Sequence, residues 1–186
     1  MTTLAGIQGN GWSVIGSDTR VIDDSRIYST PRHSSKIFKV SDYIIAVAGD
    51  WRPAQILQHD MVYPKLPVKP TEKTMEKFFS QEFIPSLRNT YADEGWAIDK
   101  DTESSLLISA CGYMFSVDTD YAWTRDRRGY YGVGTGGDYA VGYMSAFSFP
   151  KDVETAKDIV RRALGVASQY DSNTGEPFII YTQENK

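Results

Sequence analysis

Apolar residues in the first fifty positions occur in short runs separated by turn-forming residues, which is typical of β-strands. The runs TLAGI and WSVIGSD flank the turn-prone segment 8–11, and this arrangement predicts a hairpin. SSKIFKV and YIIAVAGD form a second pair, joined by Ser41 and Asp42. YIIAVA is apolar without alternation, which predicts a strand buried on both faces. The pattern therefore places the first residues in a sheet, although chain ends normally fray unless packing holds them.

Helical patterns follow these strands. DWRPAQILQHDMVYP, residues 50–64, is predicted to be a helix, and the Pro- and Lys-containing segment after it a loop. A longer helix is predicted over 71–91, with Thr71 as its cap. Its apolar residues recur every four positions: Met75, Phe79, Phe83, Leu87 and Tyr91. We expect Pro85 to bend or shorten this helix, because proline interrupts the helical hydrogen bonds.

The second half of the chain repeats the order of strands followed by helices. Residues 103–118 predict a hairpin around Gly112, and YYGVGTG predicts a further strand. GDYAVGYMSAF and residues 151–169 are predicted to be helices, and PFIIYTQ a final strand. Runs of strands followed by pairs of helices indicate two sheets covered by helix layers, within a single domain over 1–186.

Composition and charge narrow the function classes. The chain has 186 residues, of which 41% are hydrophobic and 24% charged, with a net charge of −4. The acidic balance disfavours nucleic acid as a partner, and no apolar run approaches the ~20 residues of a membrane span. One cysteine and two histidines do not make up a structural zinc set, so we expect no metal and no cofactor. We also expect no secretory signal and a cytoplasmic location.

Four local motifs have plausible structural explanations. Residues 132–137 spell G-x-G-x-x-G, but a dinucleotide site needs a second parallel strand that is not predicted here, so we interpret the glycines as sites of close backbone approach. Cys111 is interpreted as a buried thiol in a strand rather than a nucleophile. DTD at 118–120 indicates a turn, and RDRR at 125–128 a solvated hairpin tip. His33 and His59 are expected at the surface.

Chemistry at the start of the chain is a stronger candidate. Methionine removal is favoured before a small residue, so Thr2 can become the N-terminal residue. Such a threonine carries a hydroxyl nucleophile and, on the same residue, an α-amine whose ordinary pKa of about 7.7–8.0 suits a base near neutrality. A threonine with its own amine is a recognised variant of the catalytic triad. The alternative hypothesis is that Met-Thr occurs here by chance.

The sequence resembles the N-terminal-threonine peptidases, which are the proteasome β subunits and their bacterial relative HslV, over nearly its whole length. The segments that carry the resemblance are TTLAGIQGNGWSVIGSDTR, AVAGDW, GTGGDYA and YDSNTGE. SDTR is closer to the β subunits, whereas GTGGDYA and an expected lack of a propeptide are closer to HslV. The resemblance implies an α+β fold, the four-layer αββα sandwich of the Ntn-hydrolase type.

The resemblance also implies roles for individual residues. Thr2 attacks the scissile carbonyl, and its amine takes the hydroxyl proton directly or through water. Lys36, held by Asp18, keeps a positive charge beside the nucleophile, and Arg20 supports that pair. Lys36 requires a two-residue insertion after Asp18 relative to the family.

Four further residues complete the implied site. The amide of Gly49 stabilises the oxyanion, although this position requires a one-residue deletion. Thr135 stands where the family usually has serine, and Asp171 and Thr174 orient it and the amine. The threonines at 135 and 174 both retain the hydroxyl.

The implied function is a threonine-type endopeptidase subunit of a self-compartmentalising ring, with peptides or unfolded proteins as substrates and an unfolding ATPase ring as a possible partner. Two alternatives remain open: a catalytically inactive structural subunit of a proteasome-like ring, and an N-terminal-threonine amidase acting on small molecules. The intact set of Thr2, Asp18 and Lys36 favours an enzyme. Aromatic and methionine side chains are candidates for ring contacts: Trp51, Met61, Tyr63, Tyr143, Met144, Phe147 and Phe149.

Overall fold

The computed structural model describes residues 2–96 and 104–185. Its strands are β1 Leu4–Gln8, β2 Trp12–Asp18, β3 Arg20–Asp23, β4 Arg26–Ser29, β5 Ile37–Val40, β6 Tyr43–Gly49, β7 Ser104–Ala110, β8 Tyr113–Val117, β9 Trp123–Thr124, β10 Tyr130–Val133 and β11 Phe178–Glu184. Its α-helices are α1 Trp51–His59, α2 Glu72–Phe78, α3 Ile84–Asp93, α4 Gly137–Ser145 and α5 Val153–Tyr170.

Two antiparallel sheets form the centre of the fold. The first sheet has the strand order β10-β1-β2-β11, and the second has the order β5-β6-β7-β8-β9. Strands β3 and β4 pair only with each other in a separate hairpin. The predicted hairpins β1–β2, β5–β6 and β7–β8 are all present.

Alternating side chains build three apolar interfaces. In β6, Ile45 and Val47 pack among residues of α1–α3, whereas Ile44 and Ala46 pack against the first sheet. Helices α4 and α5 cover the other face of the first sheet, where Val160 of α5 packs with apolar residues of β1 and β2. Helix, sheet, sheet and helix are therefore stacked in four layers, which confirms the predicted αββα sandwich.

The helix predicted over 71–91 is helical from 72 to 93, but a π-helical turn interrupts its α-helical hydrogen bonding just before Pro85. Thr71 caps α2 by accepting a hydrogen bond from the Thr74 amide. A π-helical turn, Phe79–Phe83, then separates α2 from α3, and Pro85 lies in the first turn of α3. Because proline has no amide hydrogen, it is tolerated in a first turn and disrupts a helix interior.

Several local predictions were wrong. Helix α1 ends at His59 rather than extending to residue 64, and the β3–β4 hairpin was not predicted. Cys111 is half-buried on the β7–β8 turn with φ +52°, and burial raises the pKa of its thiol. Arg125 is not a solvated tip residue, because its guanidinium is mostly buried and forms ion pairs with Glu72 and Glu76.

The candidate contact residues divide into two groups. Met61 and Met144 are buried in the core and are unavailable for ring contacts, which corrects that prediction. Phe147 and Phe149 are exposed and remain candidates.

Two further features are absent from residues 2–96 and 104–185. No helix there is both long enough and apolar enough to cross a membrane. Across the same described ranges, no cluster of three His, Cys, Asp or Glu side chains is arranged to hold a metal ion.

Candidate active site

The N-terminal segment lies beside the end of β2, at the open end of the β1–β2 hairpin. The Thr3 amide donates to Asp18 Oδ1 at 3.1 Å, and the Asp18 amide donates back to the Thr3 carbonyl at 3.3 Å. Thr2 and Thr3 are both buried. Thr2 therefore directly precedes the residue whose amide binds the buried Asp18 carboxylate.

Lys36 joins the second sheet to this carboxylate. It lies directly before β5, and its Nζ donates to both Asp18 oxygens at 3.0 and 3.1 Å and to the Arg20 carbonyl. Lys36 is 3% exposed and Asp18 1% exposed. Asp18 Oδ1 therefore accepts hydrogen bonds from both Lys36 and the amide of Thr3. This one oxygen atom contacts the positive charge and the N-terminal segment at the same time.

Burial opposes the charge on both members of this pair. It lowers the pKa of Lys36, an effect that the charge of Asp18 counteracts. It raises the pKa of Asp18, and here Lys36 and the amides of Thr3 and Gly175 counteract it. A buried ion pair of this kind is weak evidence for stability, because desolvation of the two charges offsets their attraction.

Arg20 supports the pair through its main chain. Its amide donates to Asp18 Oδ2 at 3.0 Å, and its carbonyl accepts from Lys36. The side chain extends elsewhere, and its Nη1 donates to the Ser172 carbonyl at 3.0 Å. The position of Arg20 agrees with the prediction, whereas its guanidinium serves to hold the loop after α5.

A second polar cluster surrounds Asp171, at the end of α5. Asp171 Oδ2 accepts hydrogen bonds from Thr135 at 2.8 Å and from Thr174 at 2.6 Å, and Asp171 Oδ1 accepts from Asn173. Partial burial would raise the pKa of Asp171, but the hydrogen bonds from Thr174, Thr135 and Asn173 outweigh it and lower that pKa. The three residues predicted for this side of the site are therefore in direct contact.

The glycine-rich segment after β10 gives the N-terminal strand its space. A Cβ atom on Gly134, whose φ is +83°, would lie 2.0 Å from the Thr2 carbonyl oxygen. A Cβ atom on Gly136 would lie 2.0 Å from Thr3 Oγ1 and 2.9 Å from Thr174 Oγ1. Side chains do not fit at these distances, so the interpretation of these glycines as sites of close backbone approach is supported.

Gly49 ends β6 on the same side of the sandwich. It is exposed and has a φ of +107°, in the region that favours glycine. The Cβ of its neighbour Ala48 lies 3.5 Å from the position that a Gly134 Cβ would take, beside the Thr2 carbonyl. Ala48, the residue before Gly49, therefore lies close to the Thr2 carbonyl, and the role of the Gly49 amide stays a prediction.

Sequence reasoning missed Thr3 and Gly175. Thr3 contacts both clusters, and the Gly175 amide donates to Asp18 Oδ2 at 3.3 Å. Both act partly or wholly through main-chain atoms. The only sequence feature that could have indicated them is their position, since Thr3 follows the predicted nucleophile and Gly175 follows a predicted site residue.

Comparisons with known proteins agree with this fold. No protein-family model matches the chain, and no curated protein matches it. Thiobacillus denitrificans BPH in complex with epoxomicin is 20% identical, with a TM-score of 0.78 and full coverage of both chains. Eukaryotic HslV from Trypanosoma brucei is 20% identical, with a TM-score of 0.67, and the match covers 98% of this chain and 99% of that one.

A third solved structure is the helical assembly of the Anbu complex from Pseudomonas aeruginosa. It is 14% identical, with a TM-score of 0.72, over 98% of this chain and 81% of that one. The chain therefore has the fold of HslV and BPH, as its resemblance to the N-terminal-threonine peptidases implied.

Proposed function

We propose that this chain is a threonine-type endopeptidase in which Thr2, freed by removal of Met1, is the nucleophile. The observation that carries the proposal is the buried Asp18–Lys36 pair. Asp18 Oδ1 accepts hydrogen bonds from Lys36 and from the amide of Thr3, the residue after Thr2. Such a pair adds little stability, so its presence beside a potential nucleophile points to a chemical role. An inactive structural subunit would not need a buried positive charge at this place.

The proposed first step transfers an acyl group to the enzyme. Thr2 Oγ1 attacks the scissile carbonyl carbon, and its proton passes to the α-amine of the same residue, directly or through water. The resulting oxyanion accepts a hydrogen bond from the Gly49 amide. The ammonium then donates its proton to the leaving amine, the C–N bond breaks, and the carbonyl re-forms as an ester on Thr2.

The second step restores the enzyme. Water attacks the ester carbonyl, the α-amine accepts the water proton, and the ester bond breaks as Thr2 Oγ1 recovers a proton. Throughout, the positive charge of Lys36 favours the ionised oxygen of Thr2. Thr135 donates its proton to Asp171, so its lone pairs are free to accept a hydrogen from the α-amine and orient it.

Proteins with the same fold support a peptide substrate and a compartment. BPH has been solved in complex with epoxomicin, and HslV shares the fold over nearly its full length. We therefore propose peptides or unfolded proteins as substrates, a homo-oligomeric ring in the cytoplasm as the working form, and an unfolding ATPase ring as a partner. Binding of epoxomicin, measured as an increase in Tm, would support the likeness to BPH.

The proposed chemistry is tested by the intact mass and turnover of the purified protein. We expect a mass without methionine and cleavage of unfolded protein substrates. Thr2→Ala should abolish cleavage with an unchanged Tm, while Thr2→Ser, which keeps both hydroxyl and amine, should retain part of it. An active sample with Met1 fully retained would contradict the proposal, and cleavage of small amides alone would favour the amidase.

The proposed assembly is tested by light scattering at low micromolar concentration. A closed ring predicts one discrete mass of six or more subunits, because heterologous contacts that close leave no free interface. Growth of the mass with concentration would instead indicate an open assembly, as in the helical Anbu complex. A monomer would overturn the ring while leaving the threonine chemistry to its own test.

A further inference from the structure

Thr3 contacts both polar clusters of the candidate site. Its amide donates to Asp18, which holds Lys36, and its hydroxyl contacts the Thr174 hydroxyl, which belongs to the Asp171 cluster. Thr3 is fully buried. A single residue thus joins the charged pair on one side to the hydroxyl cluster on the other.

The direction of the hydrogen bonds between these groups follows from the number of protons that each group can donate. An ionised carboxylate only accepts, and a hydroxyl has one proton to donate. Thr174 donates that proton to Asp171 Oδ2. In its contact with Thr3 it must therefore accept, so the chain of donation runs from Thr3 to Thr174 to Asp171. The Thr3 hydroxyl has one orientation available to it.

This orientation bears directly on Thr2. The amide nitrogen of Thr3 belongs to the peptide plane that contains the Thr2 carbonyl, and a peptide plane is rigid. Holding Thr3 at its amide and its hydroxyl therefore fixes the position of Thr2 and the direction of its carbonyl. The absence of a side chain on Gly136 leaves the space that Thr3 Oγ1 occupies.

We propose that Thr3 is a positioning residue, which joins the Asp18–Lys36 pair to the Asp171 cluster and thereby places the Thr2 nucleophile. The proposal rests on the proposed function for its kinetic consequence. Its structural consequence, that the Thr3 hydroxyl restrains the N-terminal strand against Asp18, is measurable whether or not the protein cleaves peptides.

The test compares Thr3→Val with Thr3→Ser and with a matched control, Thr19→Val. Thr19 is as deeply buried, but its hydroxyl contacts the Pro177 carbonyl and Ser29 rather than either cluster. For Thr3→Val we expect kcat to fall about 10- to 100-fold with KM unchanged, since small misplacements of reacting groups cost this much. Thr3→Ser should restore kcat, and Thr19→Val should keep it.

Hydrogen exchange of the Thr3 amide, followed by NMR, provides the second readout. It should be about tenfold faster in Thr3→Val than in the parent and unchanged in Thr19→Val, because only the first loses the second anchor of the strand. Should Thr3→Val fail to fold, Thr3→Ala, which adds no methyl group beside Gly136, takes its place.

The possible outcomes test the positioning role of Thr3 separately from the proposed peptidase function. Unchanged kcat and unchanged Thr3 exchange in Thr3→Val would overturn the positioning role. Equal losses of kcat and Tm in Thr3→Val and Thr19→Val would also contradict the positioning role, because Thr3 would then act only through general packing. A parent protein without peptidase activity would overturn the proposed function, and the exchange measurement would still decide the role of Thr3.

Discussion

The two ends of the sandwich each hold a polar connection between the sheets, but the connections differ in charge. At one end, Ser13 of the first sheet contacts Ser109 of the second at 2.5 Å, and Ser109 donates to Gln183 at 2.6 Å. Gln183 also accepts from the Gly112 amide and donates to the Asp42 carbonyl. At the other end, the ammonium of Lys36 reaches across to Asp18.

The difference indicates what each end contributes. Neutral buried hydrogen bonds add about 1 kcal/mol each to stability. In the network around Gln183, the side chains of Ser13, Ser109 and Gln183 all form hydrogen bonds. Desolvation of a buried ion pair offsets most of its attraction, so the pair at the other end adds little to stability. We infer that the neutral end aligns the sheets and that the charged end is arranged for chemistry.

The largest expected effect comes from removing the charge of Lys36. In Lys36→Met, turnover should fall by two orders of magnitude or more, since loss of one such electrostatic contribution costs about 3 kcal/mol in the transition state. The free energy of unfolding should also fall by about 3 kcal/mol, because Asp18 stays buried without its partner. Peptide cleavage and denaturant unfolding measure the two effects.

A double variant separates these two consequences. Lys36→Met with Asp18→Asn removes both charges, so part of the lost stability should return while turnover stays low. The recovery should be incomplete, because the Asn NH2 group replaces an oxygen that accepts from a main-chain amide. If Lys36→Met cleaved peptides at the parent rate, the charged end would have no chemical role and the comparison would fail.

A smaller effect is expected at the neutral end. Ser109→Ala leaves Ser13 and Gln183 each short of one hydrogen bond, which should lower the free energy of unfolding by about 1–3 kcal/mol. Turnover should not change, because Ser109 lies at the end of the sandwich away from Thr2. Ser105→Ala in the same strand is the matched control, as its hydroxyl makes one long contact, 3.3 Å, with Asp118. A loss of kcat in Ser109→Ala would show that the two ends are coupled.

The layers of the fold were predictable because local patterns agree with the tertiary structure. YIIAVA is apolar at every position since β6 is covered on both faces, and the four-residue spacing in 71–91 matches one buried helix face. The hairpin β3–β4 was missed for the opposite reason. All four residues of β4 are exposed, so no alternation of apolar and polar residues marks it.

The site was predictable only through the resemblance to a family. Nothing in the spacing of Asp18 and Lys36 shows that they meet, because they approach from different sheets. Arg20 contacts the pair through its main chain while its guanidinium binds elsewhere, a division that a sequence does not reveal. Thr3 and Gly175 were overlooked on the same grounds, as their contacts with Asp18 use backbone amides.

The smallest expected effect concerns the acid stability of the charged end. Hydrogen bonds lower the pKa of Asp171 below 3.8, its ordinary value, so the fold favours the ionised carboxylate. This contribution is present above pH 3.8 and is lost as the pH falls through the lowered pKa. In Asp171→Asn the group no longer titrates, so Tm should be lower at neutral pH and should depend less on pH below 4. The difference should be of the order of a degree or two.

The control for the loss of Tm at neutral pH is Asp152→Asn, at the start of α5. Asp152 is exposed and accepts from the Thr155 amide as a helix cap, a role that asparagine also fills. The neutral end has no titrating side chain in its network, so Ser109→Ala should lower Tm equally at pH 4 and pH 7. Two results would contradict this comparison of the ends. One is a loss of Tm in Ser109→Ala that depends on pH, and the other is a pH dependence of Tm in Asp171→Asn identical to that of the parent.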